Sequence, residues 1–79
     1  MTREEVFERL NDVFREVFDD DTIEVDDDTT SEDIDEWDSL MHITLMESVE
    51  EEFDIRLSMK TITGAKNVGE LVDAILEEI

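Results

Sequence analysis

The sequence contains no cysteine and no proline, a single tryptophan, and only six basic residues. Without cysteine the chain can form neither a disulfide framework nor a thiolate-ligated metal site, so any thiol chemistry must come from a bound or attached group. Without proline there is no Pro-rich linker, and no internal repeat or low-complexity tail marks off a second unit. At 79 residues one domain, 1–79, with one modest core is expected, because short chains bury a smaller fraction of their surface than long ones. A deep, self-contained active site is therefore not expected. No apolar run approaches the length that crosses a bilayer. The start Met1, Thr2, Arg3, Glu4, Glu5 lacks the basic-then-apolar layout of a signal peptide, and the expected address is the cytoplasm.

The scarcity of basic residues leaves a formal net charge of −20, from 26 acidic residues against 6 basic ones. A field of that sign opposes approach to a nucleic acid backbone or an anionic membrane, so neither is an expected partner, whereas proteins with basic docking surfaces are. High charge with few aromatics is also a mark of disorder. Here, however, 39% of residues are apolar and they fall in ordered stripes, which points to a folded acidic domain.

Val6, Phe7, Leu10, Val13, Phe14, Val17 and Phe18 recur at helical spacing and predict a first helix. Thr2 with Glu5 three residues on has the pattern of a capping box, which starts the helix near Arg3. Its end falls before Asp19, Asp20 and Asp21, since acids sit badly at the negative end of a helix dipole. From Asp19 to Asp38 no helical period exists. The stretch reads as one long ordered loop pinned by Ile23, Val25, Ile34 and Trp37. A second helix is expected from Ser39 to about Phe53, capped by Asp38. Its two overlapping stripes, Leu40, Ile43, Met46, Val49, Phe53 and Met41, Leu45, Val49, predict contact with more than one neighbour. Asp54 to Lys66 reads as a loop with one short helical turn. Asn67, with Glu70 three positions on, caps a last helix whose buried face is Val68, Leu71, Val72, Ile75, Leu76 and Ile79. The expected fold is all-α: a small antiparallel bundle of three main helices plus one short helix, with the long loop between the first two.

Asp38, Ser39 and Leu40 place a primary hydroxyl at the start of a helix, where free amides and the helix dipole favour a phosphate group. At these residues the chain resembles the acyl carrier protein family, in which an Asp-Ser-Leu motif opens the second helix. The run Glu50, Glu51, Glu52, Phe53, Asp54, Ile55 and the order helix, long loop, helix extend the likeness over essentially the whole chain. The resemblance implies that Ser39 receives the 4'-phosphopantetheine of coenzyme A, with Asp38 positioning that serine and the divalent metal of the modifying transferase. It also implies that Leu40 is a core anchor and that the reactive thiol sits at the end of the arm, which accounts for the missing cysteine. Implied partners are a phosphopantetheinyl transferase, an acyl-loading ligase or transferase, and downstream biosynthetic enzymes; the carrier itself is expected to be a monomer without catalysis. Glu47, Glu50 and Glu51, with Met41 as an adaptable apolar contact, are the implied docking strip for Arg and Lys of those enzymes. Met41, His42 and Thr44 depart from the polar and acidic residues common there in fatty acid carriers. Trp37 replaces a small residue, a pattern more similar to free-standing carriers of specialised pathways and to peptidyl-type carriers. The acyl cargo thus has a peptidyl or D-alanyl alternative.

The residues also admit two other function classes. Ser39 and His42, three positions apart, could be the nucleophile and base of a small serine hydrolase. Side chains so close on one helix rarely align, and neither a Gly-x-Ser-x-Gly elbow nor an oxyanion hole is present, so His42 is expected to be exposed or to contact a partner. The runs Asp19–Asp21 and Asp26–Asp28 suggest an acidic cation-binding module, but they lack the alternating ligands, central Gly and closing Glu of a calcium loop. No metal site is assigned.

Overall fold

The computed structural model describes residues 1–79, which form four α-helices and no strand: α1 (Arg3–Val17), α2 (Ser39–Phe53), α3 (Met59–Gly64) and α4 (Val68–Glu78). Each begins on a short polar side chain that accepts from an otherwise unpaired amide of the first turn. Thr2 accepts from Glu5, Asp38 from Met41, Ser58 from Thr61 and Asn67 from Glu70. At α1 the bond is returned, since the Glu5 carboxylate accepts from the Thr2 amide at 3.0 Å. The Glu70 carboxylate reaches past Asn67 to the Lys66 amide at 3.1 Å, so α4 has a cap but no reciprocal box. The helix ends are equally specific. Asp19 and Asp54 lie in the left-handed region with φ of 51° and 53°, a conformation that Asp tolerates better than most residues. Beyond each, an amide bonds back five residues, Asp20 to the Arg15 carbonyl and Ile55 to the Glu50 carbonyl, which closes the helix.

The core is one cluster that draws on every helix face the apolar stripes predicted, with Leu10, Phe14, Leu45 and Ile75 fully buried. Burying a side chain of this size is worth about 1.5–3 kcal/mol. Arg9, on α1, bonds Glu52 near the end of α2, while Phe14, at the other end of α1, meets Trp37 just before α2. These two contacts set α1 and α2 antiparallel. Three stripe residues depart from expectation. Leu40 is 76% exposed rather than a core anchor, Ile43 is half exposed, and Ile79 lies outside the core. Leu40 and Ile43 sit in the first turns of α2, which reach beyond the packed neighbours, and Ile79 follows the last turn of α4.

The loop from Asp19 to Asp38 is ordered by bonds to the helices around it and contains one 3₁₀ turn, Ser31–Asp33, that the sequence did not signal. From α1, Asn11 Oδ1 accepts from the Val25 amide and Arg15 Nε donates to the Ile23 carbonyl, both at 2.7 Å. At α4 the amides of Val68 and Gly69, unpaired within their own helix, donate to the carbonyls of Thr29 and Asp27. Gly69 is required for this seam: a Cβ there would lie 2.9 Å from the Asp27 carbonyl oxygen. Arg3 adds ion pairs to Asp27 and Asp73, fastening the loop and α4 to the start of α1.

Candidate functional site

Ser39 is the first residue of α2 and its side chain is exposed. Asp38 organises the turn twice. Its Oδ1 accepts from the Met41 amide and its carbonyl accepts from the His42 amide, both at 2.8 Å. That leaves the Ser39 and Leu40 amides as the two donors at the helix start with no partner in the protein. A primary hydroxyl beside two free amides, at the positive end of a 15-residue helix, can carry a phosphodiester whose oxygens the amides and the dipole stabilise. Asp38 is thus a positioning residue in the structure.

Next to Ser39 lies a cleft of about 550 Å³ between α2, α3 and the start of α4. Its floor is apolar, from Met46, Val68 and Leu71, and its upper wall carries Trp37 and His42. Trp37 packs edge-on against Phe14, with ring centroids 5.3 Å apart, and so anchors the end of the long loop as expected of a packed aromatic. The sequence left His42 exposed or in contact with a partner, and in the structure it is half-buried. It stacks on Trp37 with ring planes 20° apart, accepts at Nδ1 from the indole Nε1 at 3.0 Å, and places Nε2 2.6 Å from the Ile62 carbonyl. Both ring nitrogens are therefore engaged, and neither is turned to Ser39 as a base would be. The sequence signal missed this pairing because Ile62 lies 20 residues away.

The acidic side chains expected to form a docking strip are not equivalent. Glu47 and Glu51 are exposed on α2. Glu50 is half-buried and its Oε2 accepts from the Leu57 amide at 2.8 Å, so this carboxylate ties the segment after α2 to the helix. Met41 is half-buried against the core and lies on the turn after Ser39. Of the basic residues, Arg3, Arg9 and Arg15 all make ion pairs. Arg56, Lys60 and Lys66 are exposed and form none, in a segment, 55–69, that has no acidic residue. The aspartate runs bring no three ligating side chains together in a geometry that could hold a metal ion. No helix is long and apolar enough to cross a membrane.

Residues 8–75 match the sequence profile of the phosphopantetheine attachment site. Among solved structures, the chain is similar to the holo acyl carrier protein of Geobacter metallireducens, with a TM-score of 0.86 and 38% identity. The alignment covers 92% of this chain and 84% of that one. No curated protein matches the sequence.

Proposed function

The chain belongs to the phosphopantetheine attachment-site family, and from that premise we propose that Ser39 is the residue that bears the arm. It is a carrier protein, and its prosthetic group is covalently attached phosphopantetheine. The observation that carries the assignment is the exposed Ser39 hydroxyl on the first turn of α2, beside two amides that nothing in the protein occupies. When attached, the group supplies a terminal thiol on which an acyl cargo is held as a thioester. Asp38 holds the turn so that the hydroxyl faces outward to the phosphopantetheinyl transferase, and Ser39 and Leu40 offer their amides to the phosphate.

Glu47 and Glu51 present acid to the Arg and Lys of loading and biosynthetic enzymes, with Met41 beside the motif as the apolar contact. Glu50 contributes through its free oxygen while its other oxygen holds Leu57. Exposed charge of this kind speeds encounter and selects partners more than it adds affinity, which suits a carrier that must leave each enzyme. The carrier works as a cytoplasmic monomer and does no catalysis of its own. Trp37, directly before the Asp38-Ser39-Leu40 motif, supports a second cargo reading, a peptidyl or D-alanyl group, which a panel of activating enzymes scored for loading separates from acyl use.

Intact mass after incubation with coenzyme A and a broad-specificity phosphopantetheinyl transferase tests the assignment, with Ser39→Ala alongside. One arm on the wild type and none on the variant is the expected result. Folded wild type that gains no mass, while a control carrier in the same tube is modified, overturns it.

A further inference from the structure

The one histidine and the one tryptophan of the chain are hydrogen-bonded to each other at the wall of the cleft beside Ser39. An indole N–H can only donate. Nδ1 of His42 must therefore be the unprotonated nitrogen, and the ring proton sits on Nε2, where it donates to the Ile62 carbonyl. This chain of two bonds crosses three segments: the end of the long loop, α2 and α3. α3 is six residues long with none of its residues fully buried, and Ile62 is the one apolar side chain of this helix that packs against the core. The same ring is thus a brace for the α3 wall of the cleft, and the brace requires the neutral imidazole. A proton taken up at Nδ1 turns that nitrogen into a donor facing the indole N–H, which leaves two donors opposed and no bond between them.

We propose that neutral His42 is a positioning residue that holds α3 and Trp37 together over the cleft, and that protonation releases the Trp37 end while the Nε2–H bond to the Ile62 carbonyl persists. The inference concerns the site that the proposed function assigns to the arm and its cargo, and it rests on that reading only for its consequence: how firmly Trp37 is held at the cleft beside Ser39 depends on pH. The charged groups near the ring are few. Asp38 and Lys66 share the cleft lining with His42, Asp35 and Glu36 precede Trp37 in the loop, and Lys60 is the cation of α3. α1 meets the pair only through Phe14 and Phe18, which carry no charge.

His42→Gln separates the brace from these neighbours, because an amide oxygen can accept from the indole while its NH₂ donates to Ile62, and neither group titrates. The readouts are Trp37 emission and, as a control on α3, amide exchange at Thr63 to Ala65, followed from pH 8 to pH 5, the range in which imidazoles change charge. Both are followed on the chain with and without its arm, with far-UV circular dichroism as the check on global folding. Wild type is expected to show a one-proton change in emission at the acid end with intrinsic-corrected exchange in α3 unchanged, and His42→Gln to show no change in emission. A transition of equal size in both proteins assigns it to the carboxylates and overturns the proposal, as does a wild type whose emission stays flat. One measurement needs no variant: nitrogen-15 correlation of the single histidine at pH 8 should show the proton on Nε2, and a proton on Nδ1 overturns the brace. Arm transfer to Ser39 is scored separately by mass, so failure of the attachment assignment and failure of the brace are told apart.

Discussion

Leu40 and Leu45 stand five positions apart on α2, yet one is 76% exposed and the other is fully buried. The contrast holds for the whole helix. Its second half, with Met46, Val49 and Phe53, packs into the core formed with α1 and α4, whereas its first turn projects Ser39, Leu40 and Ile43 past that core. One end of the molecule is closed by close packing, and the other is left open around a hydroxyl. The open end is still fixed in place, because the Asp38 cap, the edge-on Trp37 and Phe14 rings and the His42 bonds hold the backbone. A carrier needs this division: its attachment point must be reachable by a transferase while the turn that presents it keeps its shape. Such a turn is stabilised by polar bonds and not by burying Ser39 itself.

The largest effect that tests the contrast comes from removing the two leucines one at a time. Leu45→Ala is expected to destabilise the fold by about 2–5 kcal/mol, from lost burial and the cavity left behind. Leu40→Ala should stay within about 0.5 kcal/mol of wild type, as surface changes usually do. Urea unfolding with both variants in parallel measures this, and comparable losses would mean that the first turn of α2 belongs to the core after all. A smaller effect is expected at the seam between the long loop and α4. Helix propensity alone would make Gly69→Ala favourable by about 1 kcal/mol. The added Cβ would meet the Asp27 backbone oxygen at 2.9 Å, which cannot swing aside as a side chain could. A net loss of about 1 kcal/mol or more is expected in the same assay, and a gain would show that the seam yields easily.

What could be read from the sequence and what could not divide along the same line. The helices were legible because stripes and caps are local: Thr2 with Glu5, Asp38 before Ser39 and Asn67 before Val68 each act within three residues of themselves. Ser39, proposed to bear the arm, was legible as a hydroxyl at a capped helix start, and it was the family resemblance of the surrounding residues that set it apart from an ordinary cap. The bonds of His42 were not legible because its partners include a carbonyl 20 residues away, and nothing in its own neighbourhood signals that. Gly69 carried no signal for the same reason, since it is explained only by Asp27, which is adjacent in space but distant in sequence. Leu40 obeyed the period of the helix, but periodicity says which face a residue is on and not whether a neighbour reaches that height. Glu50 looked like one more surface acid until the Leu57 amide was seen on its carboxylate. Thr29, a buried polar residue in an acidic stretch, is held by the loop's own turn, where its hydroxyl lies 2.9 Å from the Asp26 amide.

The smallest effect concerns the start of α1, at the closed end, where the cap is an ionisable one. The Thr2 amide, and then the Thr2 hydroxyl, hydrogen-bond the Glu5 carboxylate and hold its pKa below the ordinary value of 4.5. A carboxyl whose pKa is lower in the folded chain than in the unfolded one stabilises the fold above the unfolded value. That contribution is lost as the pH falls from about 4.5 through the folded value. Glu5→Gln retains an acceptor for the Thr2 amide but cannot titrate. Melting temperatures taken from pH 6 down to pH 3 should therefore fall less steeply for Glu5→Gln than for wild type below about pH 4.5. Parallel curves would mean that the capping box contributes no pH dependence, and that the acid sensitivity of this highly charged chain comes from the remaining carboxylates. Because Glu5 lies on the far end of α1 from Trp37, its titration should leave tryptophan emission unchanged, which keeps it distinct from any proton uptake beside Ser39.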